Sequence, residues 1–286
     1  MEEFIMVGVS SIVAICITLA VTLFLPLVIY LVYGIKNKGK GVWTAWLIGA
    51  AGFFLPQVVV RLPIINLLSG SEDYRRFSLT QYGLYVFLLA FTAALFETAG
   101  RYAAAKLMGS RLTYERGVAA GLGHGGIESM VIVGMTYVNN LILTIMINTG
   151  SFDALVKQVG QTGGDAASLE LTELVLTETA ASSYYMAGYE RILTMVFHLA
   201  LSLLMCYCVH QKKDFMGIGL CLVIHCGVDY TVPMIINLAN KKISFETMQI
   251  VAYLFLTVVT AISIAGIRHL RKLWKRESIQ CAGGNM

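Results

Sequence analysis

Residues 5–33 read IMVGVSSIVAICITLAVTLFLPLVIYLVY and contain no charged side chain. As a helix, these 29 residues rise about 43 Å at 1.5 Å each, more than the roughly 30 Å hydrocarbon core of a bilayer. The run is too long for a cleavable leader and no basic segment precedes it, so it reads as a true membrane span. Working outward, residues 42–60, 77–96, 117–148, 185–207, 215–238 and 248–267 repeat the pattern with few or no charges. The first and fourth runs exceed the roughly 20 residues needed to cross, which implies tilt or a protruding turn. The expected fold is all-α, a polytopic transmembrane helical bundle of about seven spans. Residues 1–275 form the single bundle, with 149–184 as an external loop and 276–286 as a cytoplasmic tail.

Composition agrees with this reading. The 286 residues are 57% hydrophobic and 13% charged, with a mean hydropathy of +0.72, whereas a soluble domain carries about 25% charged residues. A soluble fold would have to bury every one of the apolar runs. The net charge of +4 is spread over short loops and one tail, which gives no footprint for nucleic acid. Cys16, Cys206, Cys208, Cys221, Cys226 and Cys281 show no extracellular framework spacing and read as free thiols.

Loop charge sets the expected orientation. With the N-terminus outside, fourteen lysines and arginines fall on the inner side, in the loops after Lys36, Arg101 and Lys212 and in the tail after Arg268. Six fall outside: Arg61, Arg75, Arg76, Lys157, Lys241 and Lys242. The excess of positive charge inside favours N-out, C-in. The segment 149–184 carries Asp153, Asp165, Glu170, Glu173 and Glu178 against Lys157 alone, which suits an external loop. Its spacing of Leu169, Leu171, Leu174 and Leu176 allows a short surface helix. These features make the protein a multi-pass component of a cell membrane, in the bacterial case the plasma membrane.

Against this apolar background, ionisable residues recur four apart: Glu97 with Arg101, His124 with Glu128, and His225 with Asp229. Four-residue spacing puts both members on one helical face. A charged residue at the centre of a span costs roughly 2.5–3.5 kcal/mol on insertion scales, so such residues usually face a bundle interior. Glu97 and Arg101 are expected at the inner end of the third span, the other pairs two to four turns into theirs. A fourth cluster, Glu190, Arg191 and His198, has Arg191 two turns from His198 on the same face. Glu190 and Arg191 read as a neutralising pair. His124 and Glu128 sit in Gly121-Leu122-Gly123-His124-Gly125-Gly126-Ile127-Glu128, a thin helix that a neighbour can approach closely.

Groups on four helices at one depth suit a site that uses water. There is no HExxH and no GxSxG, which leaves two chemistries. In one, a glutamate activates water; in the other, histidines and carboxylates hold a metal. Glu97 is the candidate general base, Asp229 can fix the tautomer of His225, and histidines can stabilise an oxyanion.

The segments Phe96-Glu97-Thr98-Ala99-Gly100-Arg101, Gly123-His124-Gly125-Gly126-Ile127-Glu128, Glu190-Arg191 with His198, and His225-Cys226-Gly227-Val228-Asp229 resemble the YhfC family of bacterial intramembrane proteases. That family is related to the type II CAAX prenyl endopeptidases, the bacteriocin-processing proteins and the PrsW proteases. The resemblance covers roughly residues 1–275. It implies that Glu97 and Arg101 correspond to an EExxxR motif, with Phe96 in place of the first glutamate. It implies that His225 and Asp229 correspond to an HxxxN/D motif. His124 and Glu128 fall at a motif read as FxxxH or FxxxE in relatives, with Ala120 where the first pattern has Phe, so either is the working residue.

The resemblance implies an intramembrane endopeptidase, glutamic-type or metal-dependent, with Glu97, Arg101, His124, Glu128, His198, His225 and Asp229 as catalytic residues. If the reaction needs a metal, the expected ion is zinc and the expected ligands are His124, His198 and His225. The partners are the lipid bilayer and a membrane-anchored or amphipathic peptide substrate; the sequence sets no oligomeric state. The alternatives are an ion or metal transporter using the same groups as a relay, and a non-catalytic membrane scaffold.

Overall fold

The structure is a computed structural model that describes residues 6–239 and 243–283. Ile5, Lys241, Lys242 and the last three residues of the expected tail lie outside the described residues. All regular elements among the described residues are helical. Seven helices are long and apolar enough to cross a membrane: Val9–Lys36, Val42–Ser69, Tyr82–Arg111, Tyr114–Asn148, Ala181–His210, Asp214–Ile236 and Phe245–Glu277. Large aliphatic side chains such as Ile17, Leu47, Leu55, Val258 and Ile262 stand exposed along them, as a hydrocarbon surround requires. This is a multi-pass membrane protein.

Three of the spans contain a wider π-helical stretch, at Ala20–Phe24, Phe54–Arg61 and Ser129–Gly134. The last helix continues without a break to Gly283, so the described part of the expected tail is helical. The third span differs from expectation. Tyr82–Met108 is one continuous helix, so Glu97 and Arg101 are not at its end. Glu97 lies 14 residues before Arg111, about 21 Å along the axis. The alanines at 103–105 continue the helix past the pair because alanine is the best helix former. The stretch before it is a separate helix, Glu72–Thr80, capped by Ser71, whose Oγ accepts from the Tyr74 amide at 3.2 Å.

The chain divides into two compact units. The first comprises the N-terminal residues to Leu27 and Ser129–Ile192. Within it, Asn148 clamps the start of the first span, its Oδ1 accepting from the Val7 amide at 2.8 Å and its Nδ2 donating to the Val7 carbonyl at 3.0 Å. Residues 149–184 are ordered as two short helices, Phe152–Gln161 and Ala166–Glu178. The second is the helix expected from the leucine spacing, and its Asp165 cap accepts from the Ser168 amide. Phe152 and Leu176 are buried with Val7, Leu143 and Ile147, so this segment packs rather than trails. In the same unit, Arg191 donates to Glu190 at 2.5 Å.

The second unit comprises Val28–Glu128 and the residues from Leu193 onward. Its core runs from Val42, Trp46 and Ala50 through Ala105, Ala119 and Ala120 to Leu201, Leu203 and Met205. Glycine permits the closest approaches. A Cβ on Gly123 would collide with the Trp46 carbonyl oxygen, and one on Gly100 with the Gly52 carbonyl oxygen. Gly125 lies against the His198 side chain, which a Cβ would meet at 3.0 Å. The thin face expected around His124 is therefore used for backbone-level packing. Gly123→Val should lower the thermal unfolding temperature in detergent, by an overpacking cost of about 1–3 kcal/mol. Gly219→Val, which faces open space, should not; equal losses would refute the packing role of Gly123.

Candidate metal centre

Span three delivers Glu97 and Arg101 one turn apart into the interior of the second unit, where both are almost fully buried. Their side chains pair at 3.0 Å, Arg101 Nη2 to Glu97 Oε2. Three histidines from three other spans surround the same oxygen. His124 Nε2 is 3.1 Å away, His198 Nδ1 3.4 Å and His225 Nε2 3.8 Å. The other carboxylate oxygen, Oε1, accepts from Gln57 Nε2 at 2.6 Å. Phe53 and Phe197 stand edge-on to the rings and wall the site, Phe53 against His124 and Phe197 against His198 and His225.

Arg101 decides how the histidines carry their protons. A guanidinium only donates, so His198 Nδ1, 2.6 Å from Nη2, and His225 Nδ1, 3.3 Å from Nη1, are both acceptors. With no ion on it, a neutral ring then carries its hydrogen on Nε2; for His198 to ligate an ion, one of its two ring-nitrogen partners must give way. The Nε2 hydrogen has a carboxylate waiting in each case: Glu128 Oε2 lies 3.0 Å from His198 Nε2, and Asp229 Oδ2 lies 3.2 Å from His225 Nε2. Glu128 and Asp229 are the open members, with side chains 14% and 34% exposed, while Glu97 is 4% exposed.

All seven expected residues thus enter one connected network. His124 and Glu128 both belong to it, on one face of their helix, with His124 touching Glu97 directly and Glu128 acting on His198. Gln57 was not foreseen, nor Arg61, which supports it from one turn away, Nη1 donating to Gln57 Oε1 at 3.3 Å. The available signal was an amide four residues before an arginine in an otherwise apolar stretch.

Four of these residues, Glu97, His124, Glu128 and His198, bring ligand atoms within 4.8 Å of one another. Two imidazoles and two carboxylates are a donor set suited to zinc and similar first-row ions. Around a tetrahedral zinc, donors about 2.0–2.1 Å from the ion lie roughly 3.3 Å apart. The 3.0 Å between His198 Nε2 and Glu128 Oε2 and the 3.1 Å between His124 Nε2 and Glu97 Oε2 are close to that edge, so the residues fit such an ion. His225, expected among the ligands, is outside this group.

The sequence model of one family, described as YhfC intramembrane metalloprotease, matches residues 21–255. The chain belongs to the YhfC family. It is 29% identical over 215 residues to the Uncharacterized membrane protein YhfC of Bacillus subtilis (strain 168), covering 73% of this chain and 79% of that protein. No solved structure matches it significantly. Every residue of the network in this YhfC-family chain, Gln57 and Arg61 included, lies within the matched span.

Because Glu97 and Arg101 are buried together, removing one strands the other. Arg101→Met should cost about 3–5 kcal/mol of stability. The double variant Glu97→Gln with Arg101→Met should recover a large part of it in a denaturant titration. Strictly additive losses would show that the pair is not energetically coupled.

Proposed function

We propose that this protein is an intramembrane endopeptidase that hydrolyses membrane-anchored or amphipathic peptides with zinc in the Glu97, His124, Glu128 and His198 cluster. The observation that carries the proposal is that buried donor set, lying inside a chain of the YhfC family. A catalytic zinc keeps one coordination position open and takes three protein ligands. Of the two carboxylates, Glu97 is the one held at both oxygens, by Gln57 on one and Arg101 on the other. His124, His198 and Glu128 are therefore the ligands, and Glu97 faces the reacting water as its proton acceptor. Bound there, the ion supplies Lewis acidity to polarise the scissile carbonyl and acidify water.

The protein groups do the rest. Glu97 takes the water proton at Oε2 and later returns it to the leaving amine. Arg101 aims Glu97 through their 3.0 Å ion pair and orients His225 through its Nδ1. The Nε2 hydrogen of His225 is the donor for the developing oxyanion, with Asp229 as its resting partner. Asp229, the most exposed member, marks the side from which substrate enters. With the N-terminus outside and the C-terminus inside, the catalytic layer lies within the bilayer, where a peptide bond meets little water until it reaches Glu97.

Purified protein in nanodiscs should cleave an apolar transmembrane peptide, lose cleavage with a chelator and regain it with zinc. Glu97→Gln should lower kcat by about 10²–10⁴-fold, the range of a lost general base. Zinc content by elemental analysis should fall in His124→Ala and Glu128→Ala and persist in Glu97→Gln. Cleavage by Glu97→Gln at the wild-type rate would rule out this mechanism.

A further inference from the structure

Gln57 and Arg61 lie on the π-helical stretch Phe54–Arg61, a geometry that is rare and frequent at functional sites. Gln57 is buried and its amide nitrogen holds Glu97 Oε1 at 2.6 Å. Arg61 donates from Nε to Thr92 Oγ1 at 3.2 Å, from Nη1 to Gln57 Oε1 at 3.3 Å and from Nη2 to the Leu89 carbonyl at 2.7 Å. All three acceptors are neutral, and among the described residues no acidic group lies within 4.0 Å of this arginine. A guanidinium has five N–H groups, so two have no acceptor among the described residues.

The same arginine borders a pocket of about 260 Å³ whose other walls include Ile64, Leu68, Phe77, Leu88 and Phe96. A cation whose direct hydrogen-bond acceptors are all neutral, with Glu97 and Asp229 acting on it only at longer range, is costly beside an apolar cavity in a membrane span, and such residues mark ligand pathways. The ligand that complements it is an apolar group bearing an anion. We propose that this pocket is a substrate subsite for a bulky apolar side chain next to a carboxylate, which pairs with the spare N–H groups of Arg61. Such charge-assisted pairs are the strong hydrogen bonds of proteins.

The inference rests on the protease reading for its choice of ligand, and it adds a position. Only the Gln57 side chain separates the Arg61 guanidinium from the Glu97 carboxylate, a path of roughly 8 Å. Extended peptide advances about 3.3–3.6 Å per residue. The carboxylate therefore sits about two residues from the bond presented to Glu97. An acidic side chain and a free C-terminus offer the same chemistry, and the test separates them.

Binding of four acetylated dipeptides ending in phenylalanine is measured on the full-length protein in nanodiscs. One has a free carboxylate preceded by leucine, one is its amide, one is an amide with glutamate before the phenylalanine, and one is its glutamine counterpart. At least one acid should bind about tenfold or more tighter than its neutral partner, and which one does so names the source of the carboxylate. Arg61→Gln should erase that difference, while Arg61→Lys, which keeps the charge and guards against misfolding as the explanation, should retain part of it. Leu88→Trp, which fills the pocket from a half-exposed position, should weaken all four. Equal binding of acids and neutral partners to wild type, or discrimination that survives in Arg61→Gln, would overturn the subsite. Discrimination without cleavage of any longer peptide would leave the subsite standing and remove the protease reading.

Discussion

The ion pair of Glu97 with Arg101, buried in the interior of the second unit, is the constraint around which that unit is organised. Removing two such charges from water costs several kcal/mol per ion, and attraction between them offsets this only when their remaining hydrogen-bonding capacity is also met. One span cannot meet it. Glu97 needs Gln57 and His124 from the second and fourth spans, and Arg101 needs His198 and His225 from the fifth and sixth. The charge pair therefore requires several helices to meet at one depth. Small residues make that approach possible: Gly123 against the Trp46 carbonyl, Gly100 against Gly52, and Gly125 against His198.

The same pair imposes an order on the protons. Arg101 takes an acceptor from both His198 and His225, which turns their hydrogens toward Glu128 and Asp229. Two carboxylates, Glu128 and Asp229, thus lie beside the ring nitrogens that face away from the guanidinium. This is an arrangement in which position along the network decides role. The innermost acid, Glu97, is held at both oxygens, and the outer acids are the more exposed ones. The π-helical stretch at Phe54–Arg61 contributes to the same end, because it carries Gln57 to Glu97 while Arg61, one turn on, reaches Leu89 and Thr92.

Membership of the YhfC family and the donor set are separate supports, and the matched residues 21–255 contain every member of the donor set. The family description speaks of a metalloprotease, and the cluster of two imidazoles and two carboxylates is drawn from side chains whose spacing suits such an ion. The relative from Bacillus subtilis is itself described only as a membrane protein, so the chemistry here is argued from the residues of this chain. The proposed separation into ion-binding groups, a base and an orienting arginine rests on which atoms each one touches.

The hydropathy of residues 5–33 and its six repeats was enough to determine a seven-span helical membrane protein, because a bilayer accepts only segments that satisfy their own backbone hydrogen bonds. The four-residue spacing of Glu97 and Arg101, His124 and Glu128, and His225 and Asp229 was enough to place each pair on one face, because helical period is a local property. The sequence puts Glu97 and Arg101 at the end of a span, whereas the helix continues past them to Arg111. Charges usually end a span, and only partners on other helices let this pair stay inside one. Gln57 and Arg61 carried almost no signal, since an amide and an arginine in an apolar stretch look the same whether they line a site or reach for water. Which histidines face Arg101 and which oxygen of Glu97 meets which nitrogen were settled by tertiary structure alone, because they depend on how helices far apart in sequence are packed and turned against one another.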